Sequence, residues 1–213
     1  MNEHLARHHD VVGKRVVEAL TKNGFQAAYC ATKAEAAAEV LRLVPESVTV
    51  GVGGSWTIAE LGVLETLKER GCTILNHNAP GLDAAEKLRI RRAQLTCDVF
   101  LTGSNAVTMD GKLVNVDGTG NRVAAMIFGP GKVIVVAGIN KVVRDVDAAE
   151  ERIRSVAAPV NNSRIGLPNP CVKTGECMDC QGPTRICNVT TIIGKRPNTT
   201  EMHVVIVGED MGF

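Results

Sequence analysis

Apolar residues recur along the chain with two periods, one helical and one typical of strands. The first predicted helix carries its apolar residues at helical spacing, at Val12, Val16, Val17 and Leu20. Asn23 and Gly24 end this helix, and the short strand FQAAYC follows. The order of helix and strand then repeats along most of the chain.

Each later unit pairs a helix with an apolar strand. An alanine-rich helix over 32–43 precedes SVTVGVGG, and a helix with Ile58, Leu61, Leu64 and Leu67 on one face precedes CTILN. A helix over 82–94 precedes CDVFLTG, and KVIVVAG precedes the amphipathic segment DVDAAEERIRSVAAP. We expect this last helix to stop at Pro159.

This alternation predicts an α/β fold. Right-handed crossovers between short strands give a mainly parallel sheet flanked by helices, a three-layer sandwich. GKLVNVDG is predicted as a hairpin or edge strand, while VTTIIG and MHVVIVGED are two strands that pair or extend the sheet. We expect one domain over 1–213, with a cysteine-rich excursion at 160–190 that the last strand returns to the body.

Composition narrows the classes of function. The formal net charge of +1 and the aromatic content of 3% disfavour nucleic-acid binding, because neither a basic field nor stacking platforms are available. No apolar run reaches the roughly 20 residues of a membrane span, and the N-terminal stretch lacks an apolar core, which predicts a cytoplasmic protein. A homodimer is the default expectation for its assembly.

Three glycine-rich loops are the main candidates for a ligand site. GVGGSWT follows a strand and opens a helix, FLTGSNA follows another strand, and VDGTGNR follows a third. Strand ends of an open parallel sheet face the same edge, where ligands bind and where glycines admit close backbone approach. Neither a dinucleotide fingerprint nor a phosphate-binding P-loop is present. Taken singly, each loop is equally well explained as a tight turn.

Within these loops we assign candidate roles by residue type. The predicted ligand-binding residues are Gly53, Gly54, Ser55, Trp56, Thr57, Gly103, Asn105, Gly118, Thr119, Gly120, Asn121 and Arg122. Arg122 has the fork geometry for a carboxylate or phosphate. Asp117 and Glu60 are the candidate catalytic acid/base residues. The segment KLRIRR carries Lys87, Arg89, Arg91 and Arg92 on one helix, which is more often a solvated face than an anion site. His77, after a strand, is a weaker candidate, and Asp110 is better explained as a turn residue.

Four cysteines lie within PCVKTGECMDCQGPTRICN. Cys171, Cys177, Cys180 and Cys187 have the spacing C-x5-C-x2-C-x6-C. Four thiolates suit a closed zinc site or an iron-sulfur cluster, and the neighbouring glycines and prolines allow the chain to wrap. Only the central pair matches a familiar metal knuckle, so the metal stays open. The alternative is that they are isolated thiols, as Cys30, Cys72 and Cys97 are in their apolar strands.

Several of these stretches together resemble the LUD (lactate utilization) domain proteins. They are GVGGSWT, the segment from FLTGSNAVTMDGKLVNVDGTGNRVAAM to KVIVVAG, ERIRSVAAPVNNSRIGLPNPC and VVIVGEDMGF. The resemblance spans most of the chain and is strongest to the short forms found mainly in anaerobic bacteria. It also implies a wider relation to ribose-5-phosphate isomerase, glucosamine-6-phosphate deaminase and CoA-transferases.

The resemblance implies a cleft between strand-end loops that binds a small anionic metabolite. It further implies work beside redox partner proteins in the oxidation of lactate or another 2-hydroxy acid, and the four-cysteine segment is an addition to the plain domain. The alternatives are an isomerase-like or transferase-like enzyme acting on sugar phosphates or acyl-CoA, and a non-catalytic metabolite-binding module. No nicotinamide or flavin motif is present, so a complete oxidoreductase on this chain alone is not expected.

Overall fold

The computed structural model describes residues 2–213 and contains two β-sheets. Six parallel strands form the main sheet: β1 (Gln26–Cys30), β2 (Thr49–Val52), β3 (Thr73–Asn76), β4 (Val99–Gly103), β7 (Lys132–Gly138) and β10 (Glu201–Val207). Their spatial order is β1-β10-β7-β4-β2-β3. The second sheet contains β5 (Ala106–Thr108), β6 (Leu113–Asp117), β8 (Val142–Val143) and β9 (Val189–Ile193), in the order β8-β5-β6-β9.

Nine α-helices connect or flank these strands within residues 2–213. They are α1 (Glu3–Lys22), α2 (Lys33–Leu43), α3 (Trp56–Leu61), α4 (Leu64–Glu69), α5 (Ala84–Ala93), α6 (Asn121–Ile127), α7 (Val146–Arg152), α8 (Ala158–Arg164) and α9 (Cys171–Thr174). The predicted α/β class with a parallel sheet between helices is therefore confirmed.

The core lies on both faces of the main sheet. Along β7, Ile134 and Val136 pack toward α2, α3 and α4, whereas Val133 and Val135 pack toward α1, α6 and the second sheet. All four are fully buried. Because burial of one such aliphatic side chain is worth roughly 1.5–3 kcal/mol, the apolar strand runs fix the centre of the sheet.

The two C-terminal strands lie in different sheets. The segment VTTIIG forms β9, which pairs antiparallel with β6, and β6 also pairs antiparallel with β5. GKLVNVDG is thus part of a hairpin, as the alternation predicted. The segment MHVVIVG forms β10, which lies between β1 and β7 and returns the chain to the main sheet.

The prediction of a single helix between the second and third strands is wrong. Two short helices, α3 and α4, replace it, because Gly62 at the end of α3 has a left-handed backbone with φ of 74°. Glycine adopts this conformation without steric cost. The apolar spacing of Leu61 and Leu64 continues across the break, which is why the pattern alone indicated one helix.

Pro159 does not stop the helix that precedes it, which corrects a second prediction. One π-helical turn over Ile153–Ala157 joins α7 to α8, and Pro159 lies in the first turn of α8. A proline near the start of a helix loses no necessary hydrogen bond, and a π-turn alters the spacing of the backbone donors before it. The helix therefore continues past Pro159 to Arg164.

Within residues 2–213, no helix has both the length and the apolar character needed to cross a bilayer.

Candidate functional site

A cavity of about 290 Å³ opens where β2, β4 and β6 end and α8 begins. The three glycine-rich loops meet here, although β6 belongs to the second sheet. The predicted residues that line the cavity are Gly54, Ser55, Trp56, Gly103, Asn105, Asp117, Gly118, Thr119, Asn121 and Arg122. The structure therefore brings most of the candidate binding residues to one place.

Four of the candidate residues lie outside the cavity lining. Gly53 extends β2 by donating its N–H to the carbonyl of Leu101, and Gly120 precedes α6. Thr57 is buried behind the lining, with 1% of its surface exposed. Glu60 Oε2 accepts the N–H of Gly212 at 2.7 Å. Glu60 is therefore not part of the cavity lining, and its position does not support the predicted catalytic role.

Arg122 is the centre of a hydrogen-bond network. Its Nε and Nη2 both donate to Asp117 Oδ1, at 2.8 and 2.5 Å. The other donations go to the side chains of Asn105 and Asn115, at 2.8 and 2.7 Å, and to the carbonyls of Gly103 and Val116. Because protein acceptors take up the guanidinium group, Arg122 ties the second and third loops together.

Both carboxylate oxygens of Asp117 also accept hydrogen bonds from protein groups. While Oδ1 pairs with Arg122, Oδ2 accepts the N–H of Val123 at 3.0 Å in the first turn of α6. Its backbone carbonyl accepts the N–H of Asn188 at 2.9 Å, in the segment that follows the cysteines. Asp117 is 8% exposed and faces the cavity. Its position indicates that it holds the cavity wall in shape.

Lys141 is a buried amine at the cavity that the sequence reasoning missed. It follows β7 in a short 3₁₀ turn, is 4% exposed, and donates from Nζ to Thr57 Oγ1 at 2.7 Å. None of the ion pairs within residues 2–213 includes it. Burial, followed by the charges of Arg152 and Arg122, lowers the pKa of Lys141 to about 7, against a weaker opposing effect of Glu60.

Arg164 lies between two aromatic rings at the cavity mouth. Its guanidinium carbon is 5.9 Å from the ring centroids of both Trp56 and Phe213. Nε and Nη2 donate to Asn161 Oδ1, and Nη2 also reaches the carbonyl of Gly54 at 3.3 Å. No carboxylate within residues 2–213 forms an ion pair with Arg164. Such stacking holds a cation in place while leaving its charge uncompensated.

Arg91 and His77 form another polar part of the wall. Arg91 Nε is buried without a hydrogen-bond partner among residues 2–213. Gln94 Nε2 donates to the carbonyls of Val52 and Leu75, at 2.8 and 2.7 Å, and lies 3.1 Å from His77 Nδ1. Burial, reinforced by the charge of Arg91, lowers the pKa of His77. This shift favours the neutral form of the His77 imidazole.

Three cavity residues had no motif to reveal them. Lys141 follows an apolar strand in GINK, and this position at a strand end was the only available signal. Arg164 and Phe213 have partners far away along the chain, since Arg164 contacts Gly54 across 110 positions. Such contacts depend on the tertiary fold. Of the weaker candidates, His77 and one basic residue of KLRIRR, Arg91, line the cavity.

The four-cysteine segment borders the same cavity. Cys187 and Ile186 are in the lining, and Asn188 Nδ2 donates to the carbonyl of Gly118 at 3.0 Å. Arg185 organises the loop by donating to Asp179 Oδ1 and to the carbonyls of Cys180 and Cys187. The segment is thus built into the rim of the cavity.

The four thiols are near one another without forming a closed ligand set. Burial raises the pKa values of Cys171 and Cys187, and the other cysteines of the segment raise them further. Within residues 2–213, however, no three Cys, His, Asp or Glu side chains are arranged to hold a metal ion. Cysteine thiolates are suitable ligands for zinc or an iron-sulfur cluster. In this structure, however, the four side chains do not form a closed ligand set.

The sequence of the chain matches the model of the LUD domain over residues 13–207, and the chain belongs to this family. Among solved structures it is similar to a DUF162 family protein from Deinococcus radiodurans, with 15% sequence identity and a TM-score of 0.52. The alignment covers 93% of this chain and 98% of that one, so the two share their fold. No curated protein matches the sequence.

Proposed function

We propose that the cavity binds a small carboxylate and that the protein acts in the use of lactate or a related 2-hydroxy acid. The observation that carries this proposal is the charge of the lining, which contains Arg91, Arg122, Lys141 and Arg164 but only one acidic side chain, Asp117. Asp117 is already paired with Arg122. Two guanidinium groups, Arg91 and Arg164, are therefore left without an ion pair for an anionic ligand, and the amine of Lys141 lies beside them.

The free cations have suitable chemistry for a carboxylate. Arg164 and Arg91 keep unused N–H donors, and a guanidinium group binds a carboxylate through two parallel hydrogen bonds. The imidazole of His77 and the side-chain amides of Asn105 and Asn121 line the same cavity. Membership of the LUD family supports the choice of a 2-hydroxy acid among the possible anions.

A four-cysteine centre is the second part of the proposal. Cys171, Cys177, Cys180 and Cys187 would hold an iron-sulfur cluster or a zinc ion once their side chains converge on it. A cluster would supply one-electron transfer to a redox partner protein, whereas zinc would stabilise the loop. The observation that favours this centre is the position of Cys187 in the cavity wall.

Thermal unfolding with a panel of ligands tests the carboxylate site. We expect L-lactate and pyruvate to raise the melting temperature more than chloride at equal ionic strength, because a ligand that binds only the folded state stabilises it. Arg91→Gln and Arg164→Gln should reduce the rise, while the exposed Lys68→Gln should not. Stabilisation by sugar phosphates or acyl-CoA alone would instead support an isomerase-like or transferase-like enzyme. Binding without turnover would support a non-catalytic module.

Metal and acid-labile sulfide analysis of anaerobically purified protein tests the cysteine centre. Iron and sulfide that disappear in the Cys177→Ser/Cys180→Ser variant would support a cluster, and zinc lost in the same variant would support a structural clip. Cys72→Ser is the matched control, since Cys72 lies outside the segment and is buried. Protein free of metal in all forms would contradict this part of the proposal.

A further inference from the structure

We propose that Lys141 is a nucleophile that forms an imine with the carbonyl carbon of a 2-oxo acid bound in the cavity. The inference rests on the proposed function, since a 2-oxo acid is the oxidised form of a 2-hydroxy acid. It adds a covalent step and a catalytic residue to the binding site.

The position of Lys141 is that of a reactive amine. Its side chain lines the cavity and is nearly enclosed by protein. Thr57 Oγ1 accepts one Nζ hydrogen, at 2.7 Å, and this contact leaves the nitrogen lone pair free to point elsewhere. Gly212 packs closely on the amine, because a Cβ at that position would lie 3.1 Å from Nζ. The backbone and Thr57 thus fix the direction of the nitrogen.

The charged groups around Lys141 favour its neutral form. Arg152 of α7 and Arg122 of α6 repel a positive charge on Nζ, and Glu60 of α3 opposes them more weakly. Glu60 Oε2 is engaged by the N–H of Gly212. A buried amine that lacks an ion pair and faces two guanidinium groups carries the neutral nitrogen that attack on a carbonyl requires.

The cavity also selects the electrophile. Arg164 and Arg91 line the same space as Lys141 and have no carboxylate partner among the ion pairs of residues 2–213. A ligand that presents a carboxylate to an arginine and an adjacent carbonyl to Lys141 satisfies both features. This combination defines a 2-oxo acid.

The step is balanced without an oxidant or reductant. The Nζ lone pair attacks the carbonyl carbon, and the carbonyl oxygen takes up a proton to give a carbinolamine. The carbinolamine hydroxyl takes up a second proton and leaves as water, while the nitrogen gives up its two original N–H protons, so that the protons balance and a neutral imine remains. One C=O bond is replaced by one C=N bond, one water is released, and hydrolysis reverses the reaction.

Reductive trapping tests the proposal on the full-length protein. The chain is incubated with pyruvate and sodium cyanoborohydride, which reduces an imine to a stable amine, and is then analysed by intact mass and peptide mapping. We expect one reduced pyruvate adduct per chain, located on Lys141. Lys141→Arg keeps a long basic side chain but has no nucleophilic amine, and it should lose the adduct. Lys68→Arg removes an exposed lysine and should keep it.

Binding is measured beside trapping so that two failures can be told apart. If pyruvate raises the melting temperature but no adduct forms on Lys141, the imine is overturned and the carboxylate site stands. If pyruvate neither binds nor labels the chain, both proposals fail. Labelling spread over many lysines and retained in Lys141→Arg also overturns the inference. Peptide mapping of the wild-type chain decides the matter even if a Lys141 variant does not fold.

The pH dependence adds a readout that a structural lysine would not give. The pKa of about 7 for Lys141 makes the neutral amine abundant at neutral pH. In a series from about pH 5 to about pH 9, initial labelling of Lys141 should therefore fall about tenfold per pH unit below the pKa. Exposed lysines, whose ordinary pKa is near 10.4, should show no plateau in this range.

Discussion

Arg122 and Asp117 form a buried ion pair, with 2.5 Å between Nη2 and Oδ1, and 14% and 8% of their side chains exposed. The pair joins the loop after β4 to the loop after β6, since Arg122 also binds Asn105. The cavity wall depends on this connection. The pair's first role is therefore structural, even though the sequence suggested catalysis for one member and ligand binding for the other.

Removal of Arg122 should destabilise the fold strongly. Arg122→Met leaves the Asp117 carboxylate buried without its charge partner, which typically costs roughly 3–5 kcal/mol. Equilibrium urea unfolding measures this change in the free energy of unfolding. Lys68→Met breaks an exposed pair with Glu65 and should cost less than about 1 kcal/mol. Equal losses in the two variants would contradict the central role of Arg122.

Because of Lys141, the free energy of unfolding should depend on pH between about pH 7 and about pH 10.5. The unfolded chain binds a proton on this lysine up to about pH 10.5, whereas the folded chain holds it only below about pH 7. Between these values the unfolded state binds more protons, so the free energy of unfolding rises with pH. At and below neutral pH the buried charge costs up to roughly 5 kcal/mol.

The variant Lys141→Met isolates this effect. It should be more stable than the wild type near pH 7, and its advantage should shrink as the pH approaches 10.5. Chemical unfolding across that range measures the difference, with Lys68→Met as the exposed control. An advantage that does not change with pH would show that Lys141 has an ordinary pKa.

Gly111 should tolerate no side chain, because the hairpin packs on α1 at this point. Its φ is 80°, and a Cβ would lie 2.6 Å from backbone atoms of Ala19 and Leu20. Gly81 has nearly the same φ, 81°, with no atom within 4 Å. Gly81→Ala should therefore show only the left-handed backbone cost of roughly 1–2 kcal/mol. Gly111→Ala should cost more in thermal unfolding, and equal costs would contradict this packing.

The aromatic rings around Arg164 should tune ligand affinity. Trp56→Ala or Phe213→Ala removes a cation–π contact worth roughly 0.5–1 kcal/mol, which corresponds to an affinity loss of about two- to fivefold. Calorimetric titration with lactate or pyruvate measures this loss. Phe128 is 72% exposed and outside the cavity lining, so Phe128→Ala is the matched control. A similar loss in all three variants would exclude a specific role for the stacked rings.

The sequence predicted the parts of the fold that depend on local patterns. Strands such as β7 are short apolar runs, and the hairpin of β6 shows alternation between glycines. The break at Gly62 and the continuation past Pro159 were not predictable in this way, because each depends on backbone geometry that the apolar spacing does not encode.

In the candidate site, too, local sequence patterns revealed some residues, whereas others depend on the tertiary fold. The glycine-rich loops were visible because glycines and polar residues follow strands, and the structure brings them together. Lys141 was not visible, because its partner Thr57 lies 84 positions away and its burial is a tertiary property. Asp117 and Arg122 were visible by residue type, but their mutual pairing could not be deduced from the sequence.

Calorimetric titration of the wild-type protein with L-lactate and with its uncharged analogue lactamide tests the central claim most directly. The cationic cavity predicts saturable one-site binding of lactate, loss of that binding in an Arg91→Gln/Arg164→Gln variant, and no binding of lactamide. Equal binding of lactate and lactamide, or lactate binding that the double variant leaves unchanged, would contradict a cavity built for a carboxylate.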